Sequence, residues 1–321
     1  MPHRPTLAVV LAALPVWLSN PATFGNAGDP PTAEKTSAPA PVYDEKADAA
    51  KDIEAALAKA KRNHTRVLIQ WGANWCGWCK MLHAFCASEK DVAKKLRDEY
   101  EVVLVDVGRM DKHQDLVRKY GASLDQGIPF LTVLGEKGEV ITNQETGSLE
   151  KPKGTEPPGH DKAKVLDFLT KHQAPAMKAD DVLASGLARA KAEGKLLFLH
   201  FGAPWCGWCH KLEDWMAKPE ISAILAKAFV DVKIDTDRMT GGQALLDRHS
   251  AGKNSGIPWC EILAADGTAL VNSNGPKGNI GFPAQSEEIA WFVEMLKKSG
   301  AKLSHDDIAT LERSLAAKPT R

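Results

Sequence analysis

Trp75-Cys76-Gly77-Trp78-Cys79 is written a second time, residue for residue, at Trp205-Cys206-Gly207-Trp208-Cys209. Each copy follows an apolar run, Val67-Leu68-Ile69 in one case and Leu196-Leu197-Phe198-Leu199 in the other, and leads into a segment with helical spacing of its apolar residues. Two cysteines separated by two residues at the start of a helix form a dithiol that can close to a disulfide. The free N–H groups and partial positive charge of the helix N-terminus favour thiolate on the first sulfur. A strand that delivers such a dithiol to a helix start reads as a redox motif, and two copies read as two redox centres.

Reading outward, the duplication extends well beyond the five residues. Ala56-Leu57-Ala58-Lys59-Ala60-Lys61 is matched by Gly186-Leu187-Ala188-Arg189-Ala190-Lys191, and Arg109-Met110 by Arg238-Met239. The strand-like runs Glu101–Val107 and Phe229–Asp235 correspond, as do Gly127-Ile128-Pro129-Phe130 and Gly256-Ile257-Pro258-Trp259. Hairpin turns at Glu136–Glu139 and Ala265–Gly267 and closing amphipathic segments at Lys162–Lys171 and Glu287–Lys298 complete the pattern. Per unit the expected order is helix, strand, helix, strand, helix, strand, strand, helix, an α/β sandwich around a mixed central sheet. Lys151–Gly159, rich in Pro, Gly and Lys, interrupts the first unit as a surface loop.

A chain of 321 residues, 44% hydrophobic and 26% charged, suits two domains that each bury a core. Zero formal net charge gives no global pull toward nucleic acid or an anionic membrane. The first residues carry positive charge and Leu7–Leu18 is apolar but too short to span a bilayer, which fits a secretory signal peptide cleaved after Ala27; an uncleaved anchor is the alternative. The expected organisation is a signal peptide over 1–27, a disordered Pro/Ala/Ser/Thr-rich tether over 28–43, domains over 44–174 and 175–302, and a C-terminal helix and tail over 303–321. The mature protein is expected to be exported, periplasmic or secreted, without stable membrane insertion. The terminal Lys-Pro-Thr-Arg is not a reticulum retention signal, which favours the periplasm.

Strand, CxxC helix and an Ile-Pro strand start, recurring in that order in both halves, resemble thioredoxin. The likeness is strongest to secreted relatives that carry Trp-Cys-Gly-Trp-Cys followed by Lys or His. The resemblance covers roughly residues 44 to 302 and implies two tandem thioredoxin-like three-layer sandwiches. It implies that Cys76 and Cys206 are nucleophiles and that Cys79 and Cys209 resolve the mixed disulfide. Pro129 and Pro258 would follow cis bonds and bring Ile128 and Ile257 beside the dithiols to bind an extended substrate segment. Trp75 and Trp205 would form an apolar lip. Many thioredoxins carry a buried Asp six residues before the first cysteine; here those positions hold Gln70 and His200. His200 can titrate near neutrality and is a possible proton-transfer group, with a space-filling core histidine as the other reading.

Competing motifs are weaker. Cys206–His210 matches the c-type haem signature, but Lys80 replaces the histidine in the first copy. Structural zinc would need the two pairs to meet. No metal and no cofactor are expected, since the electrons reside in sulfur. Cys86 and Cys260, matched in the repeat by Met216 and Leu131, are expected to be buried free thiols. The expected function is exchange with protein thiol and disulfide substrates, reductase or isomerase more than oxidase, with a membrane electron donor as a further partner. The alternative is a binding or chaperone module with static disulfides.

Overall fold

The computed structural model describes residues 41–252 and 256–317. The expected leader, its cleavage position and the tether as far as Ala40 lie outside these residues.

The first unit runs α1 (Ala49–Asn63), β1 (Arg66–Gly72), α2 (Gly77–Ser88), α3 (Lys90–Glu99), β2 (Tyr100–Asp106), α4 (Gln114–Lys119), β3 (Phe130–Leu134), β4 (Val140–Glu145) and α5 (Lys162–His172). The second repeats it as α6 (Ala179–Glu193), β5 (Leu196–Gly202), α7 (Gly207–Met216), α8 (Pro219–Ala228), β6 (Phe229–Asp235), α9 (Gly242–His249), β7 (Trp259–Leu263) and β8 (Ala269–Asn272). A two-residue hairpin, β9 (Asn274–Gly275) and β10 (Gly278–Asn279), then α10 (Ser286–Lys298) and α11 (His305–Ala316) follow.

Each sheet has four strands, in the orders β2-β1-β3-β4 and β6-β5-β7-β8. The inner strand pairs parallel with the strand after the CxxC helices and antiparallel with the Ile-Pro strand. β1 is buried at every position from Val67 to Gly72, as a strand covered on both faces must be. One face of the first sheet packs with Ile53 of α1 and Leu116 of α4; the other packs with Leu82, Val92 and Phe168 of α2, α3 and α5. The second unit repeats this, and Leu311 and Leu315 of α11 enter its core. The architecture is α/β with mixed central sheets, as the repeat implied.

Two readings need correction. The single helix expected after each CxxC is two helices. The first pair breaks at Glu89, whose extended backbone ends α2, and the second at Lys218, after which Pro219 opens α8. The end of the expected tether is also not free chain. Tyr43 is fully buried, and its backbone N–H and C=O are both held, at 2.9 Å each, by the side-chain amide of Asn74.

The units meet where the C-terminal end of α1 faces β6 and the turn after it. Arg238 donates to Asn63 O at 2.8 Å, to His64 O at 3.1 Å and to Glu99 Oε2 at 2.8 Å. The segment between the units is tied down as well, since Thr240 N–H donates to Met177 O and Ala179 N–H to Thr240 O.

Candidate active sites

Both cysteine pairs occupy the same local geometry. Cys76 is the N-cap of α2 and Cys206 that of α7; each Sγ accepts from the N–H of its partner cysteine, at 3.0 and 3.1 Å. Both pairs are closed disulfides with Cα atoms 5.3 Å apart. The cap hydrogen bond and the helix dipole act on the first sulfur, the one the resemblance makes the nucleophile. Ile128-Pro129 and Ile257-Pro258 are cis. The Ile128 carbonyl lies 3.4 Å from Cys76 Sγ and the Ile257 carbonyl 3.6 Å from Cys206 Sγ. Each thus stands at the mouth of its dithiol.

The rims differ. Trp75 is 48% exposed, its Nε1 donates to Gly108 O at 2.6 Å, and Arg109 lies 5.3 Å above its ring. Trp205 is 58% exposed and donates to Asp237 Oδ2 at 2.8 Å. The carboxylate of Asp235 accepts the N–H groups of both Asp237 and Arg238 and so fixes that turn. The tryptophans between the cysteines differ more. Trp208 is half exposed, stacked on Phe282 with Lys211 over its ring. Trp78 is partly covered: the loop read as a surface excursion folds back so that His160, 2% exposed, meets the indole edge to face. Neither His160 ring nitrogen has a hydrogen-bond partner, and burial pushes its pKa down to about 4.

The backs of the sites differ most. Behind the first dithiol, Tyr43 packs against Cys76 and Cys79, and its hydroxyl accepts from Gln70 Nε2 at 2.9 Å. A Cβ at Gly72 would collide with that hydroxyl, so the strand end must be glycine for the phenol to fit. Burial pushes the phenol far above its ordinary range. Behind the second dithiol the equivalent Gly202 leaves room for an acid: a Cβ there would stand 3.3 Å from Cys209 Sγ and 3.7 Å from Glu213 Oε1. Lys233 Nζ is 2.6 Å from that same Oε1, an ion-pair contact that is out of line for a hydrogen bond. His210 Nδ1 lies 3.8 Å from Glu213 Oε2 while its Nε2 meets Pro204 O at 2.8 Å. Burial alone would push Glu213 up, but His210, the charge of Lys233 and His200 together outweigh it and hold the carboxyl at about 2. His210 is pushed up in turn, chiefly by its contact with Glu213.

His200, singled out in the sequence, is buried on β5 with Nε2 3.1 Å from Asp231 Oδ1 but without a hydrogen bond in line. Sequence reasoning passed over Glu213, Lys233 and Tyr43. The available signal for Glu213 was its place one helical turn below Cys209, on the same face. Cys260 is buried with Leu212 and Trp215, whereas Cys86 is only partly buried, a departure from the expectation for it; burial pushes its thiol up to about 12. Among the described residues no cluster of metal-binding side chains occurs.

A strand-delivered dithiol capping a helix, faced by an Ile-Pro carbonyl and built twice on mixed sheets, defines a tandem redox-disulfide α/β protein. The thioredoxin-like family model matches residues 48–135 and again 177–265, and the chain belongs to that family. It is 26% identical over 215 residues to protein disulfide-isomerase A6 of Homo sapiens, covering 61% of this chain and 45% of that protein. Over 223 residues it is 23% identical to protein disulfide-isomerase tigA of Aspergillus niger, covering 67% of this chain and 56% of that one. The chain spans about half the length of these relatives. Among solved structures, the disulphide isomerase of Xylella fastidiosa Temecula1 is 33% identical, covering 42% of this chain and 98% of that one at a TM-score of 0.37. No helix of the described residues is long and apolar enough to cross a membrane.

Proposed function

We propose that this protein is an exported thiol–disulfide oxidoreductase that exchanges disulfides with protein substrates at both dithiols, as reductase or isomerase. The observation that carries the reading is the shared geometry of the pairs: first sulfur on a helix N-cap, second beneath it, an Ile carbonyl alongside. The relatives named protein disulfide-isomerases support it. Cys76 and Cys206 are the nucleophiles, Cys79 and Cys209 the resolving thiols. Trp75, Ile128 and Pro129 line one substrate-binding mouth, Trp205, Ile257 and Pro258 the other.

In the reducing direction, the Cys206 thiolate attacks one sulfur of a substrate disulfide and expels the other as a thiolate. Cys209 loses its proton, attacks Cys206 Sγ and closes the pair. The substrate leaves as a dithiol carrying the two electrons the enzyme sulfurs gave up. Oxidation is the same sequence reversed. In the second unit His200, which lines the same cavity as Glu213, is the proton-transfer group of this reading, and Glu213, held ionised, contributes its charge behind the dithiol. In the first unit the groups behind Cys79 are a phenol and an amide, and neither takes up a proton near neutrality.

Export rests on the charged and apolar leader Met1–Leu18. A reducing role outside the cytoplasm needs a membrane thiol donor to return electrons. The test is insulin reduction by the full chain against the Cys76→Ser plus Cys206→Ser double variant. Turnover should vanish in the double variant; turnover equal to that of the unaltered chain ends the reading and leaves the binding-module alternative.

A further inference from the structure

Lys233 leaves β6 opposite His200, and its side chain is 9% exposed. An ammonium buried that far needs partners on every accessible side. It has one in each unit. Glu213 Oε1 is 2.6 Å away in its own, and Asn63 Oδ1 accepts from Nζ at 2.9 Å across the interface. Asn63 is the last residue of α1 and is itself buried. Its amide orientation is fixed from behind, because Nδ2 donates to Glu101 Oε1 at 3.0 Å, and Glu101 lies 3.1 Å from Lys59. Flipping the amide would set its N–H groups against the ammonium and its oxygen against a carboxylate. The Arg238 hydrogen bonds to the Asn63 and His64 carbonyls clamp the backbone at the same point.

The first dithiol has no such arrangement. Leu104 stands at the register position of Lys233, and His83 at the helical position of Glu213. Among the described residues this ion pair occurs in the second unit alone, beside the interface.

We infer that Asn63 of the first unit is a positioning residue for the second dithiol: by fixing the Lys233 ammonium it sets the field that Glu213 and, through it, Cys209 and Cys206 experience. The inference deepens the oxidoreductase reading and rests on it. The other charged or titratable groups facing the pair are His200 on β5, His210 on α7, Asp231 and Asp235 on β6, and His64 and Arg238 at the interface. A cavity of about 840 Å³ lined in part by Asn63, His200, Glu213 and Lys233 gives these groups access to solvent protons.

The experiment uses the full chain carrying Cys76→Ser and Cys79→Ser, reduced, with alkylation of Cys206 by iodoacetamide followed against pH by mass spectrometry. Asn63→Asp puts a second carboxylate on Lys233 and draws the ammonium away from Glu213. Less positive charge reaches the dithiol, thiolate is disfavoured, and alkylation at pH 7 falls about threefold as the profile moves to higher pH. In a Lys233→Met background the same change moves nothing, because there is no ammonium to capture. An unmoved profile overturns the inference, and so does an equal fall in the Lys233→Met background, since the new carboxylate would then act directly. If Asn63→Asp does not fold, Asn63→Gln, which displaces the amide oxygen by one methylene, must move the second profile while leaving Cys76 unchanged in the reciprocal Cys206→Ser, Cys209→Ser chain. Alkylation needs no turnover. A chain that titrates as described yet fails to reduce insulin loses the oxidoreductase reading and keeps the coupling; one that turns over with an unmoved profile does the reverse.

Discussion

Seen from the front the two dithiols are copies; seen from behind they are opposites. The first rests on a phenol hydrogen-bonded to an amide, the second on a carboxylate held between a lysine and a histidine. Helix start, cap hydrogen bond and neighbouring carbonyl need only the backbone and the first cysteine's own sulfur, and the repeat preserves them. What stands behind the dithiol is decided by side chains that arrive from elsewhere: Tyr43, packed on the cysteines, in one case, and a strand lysine paired with a helix glutamate in the other. Reactivity at a repeated motif is set by its surroundings, and here these have diverged while the motif has not.

The comparison breaks most visibly at Tyr43. Replacing this fully buried ring by alanine empties the space behind Cys79. The expected loss is about 3–5 kcal/mol of first-unit stability, the scale for removing a buried aromatic ring. Urea unfolding followed by hydrogen exchange in each unit checks it; a loss below about 1 kcal/mol would mean that the phenol does not fill the site. Protection in the second unit should stay.

Arg238 and Arg109 hold equivalent repeat positions and do different work. Arg238→Ala removes a nearly buried guanidinium from Glu99 and two carbonyls, an expected cost of about 3 kcal/mol in the joint between the units. Arg109→Ala removes an exposed cation over Trp75 and should cost about 1 kcal/mol or less. Thermal melts of the two variants should separate accordingly, and equal losses would erase the distinction.

Acid should sharpen the contrast more gently. His160 is held neutral by burial, with its pKa at about 4. The unfolded chain binds that proton from about pH 6.5, so the first unit loses stability as pH falls from there toward 4, by about 2 kcal/mol. Glu213, depressed to about 2, contributes stability above about pH 4.3 and loses it only as pH falls toward 2. His210, pushed up, favours the second unit on the acidic side of neutrality. Hydrogen exchange at pH 4.5 should show first-unit amides opening earlier; simultaneous opening would refute the assignment.

Nearly all of the fold was legible, because a duplicated pattern repeats every strand and turn signal and each copy checks the other. The dithiols and their Ile-Pro partners were legible for the same reason. The backs of the sites were not. Tyr43 stands in a stretch whose Pro, Ala, Ser and Thr content reads as tether, and its burial depends on a space that Gly72 opens from another element. Lys233 alternates with aspartates and looks like a strand with polar ends, yet the neighbouring unit covers it. The resemblance drew attention to the strand position of His200, while the buried carboxylate of this unit stands on the helix at Glu213.

The turn after β6 carries a mechanical meaning. Asp237 grips the rim tryptophan of the second site, and Arg238, the next residue, grips the first unit. Asp235 staples both to the strand end. One short turn thus anchors both the rim tryptophan of the second site and the seam between the two halves to the same strand end.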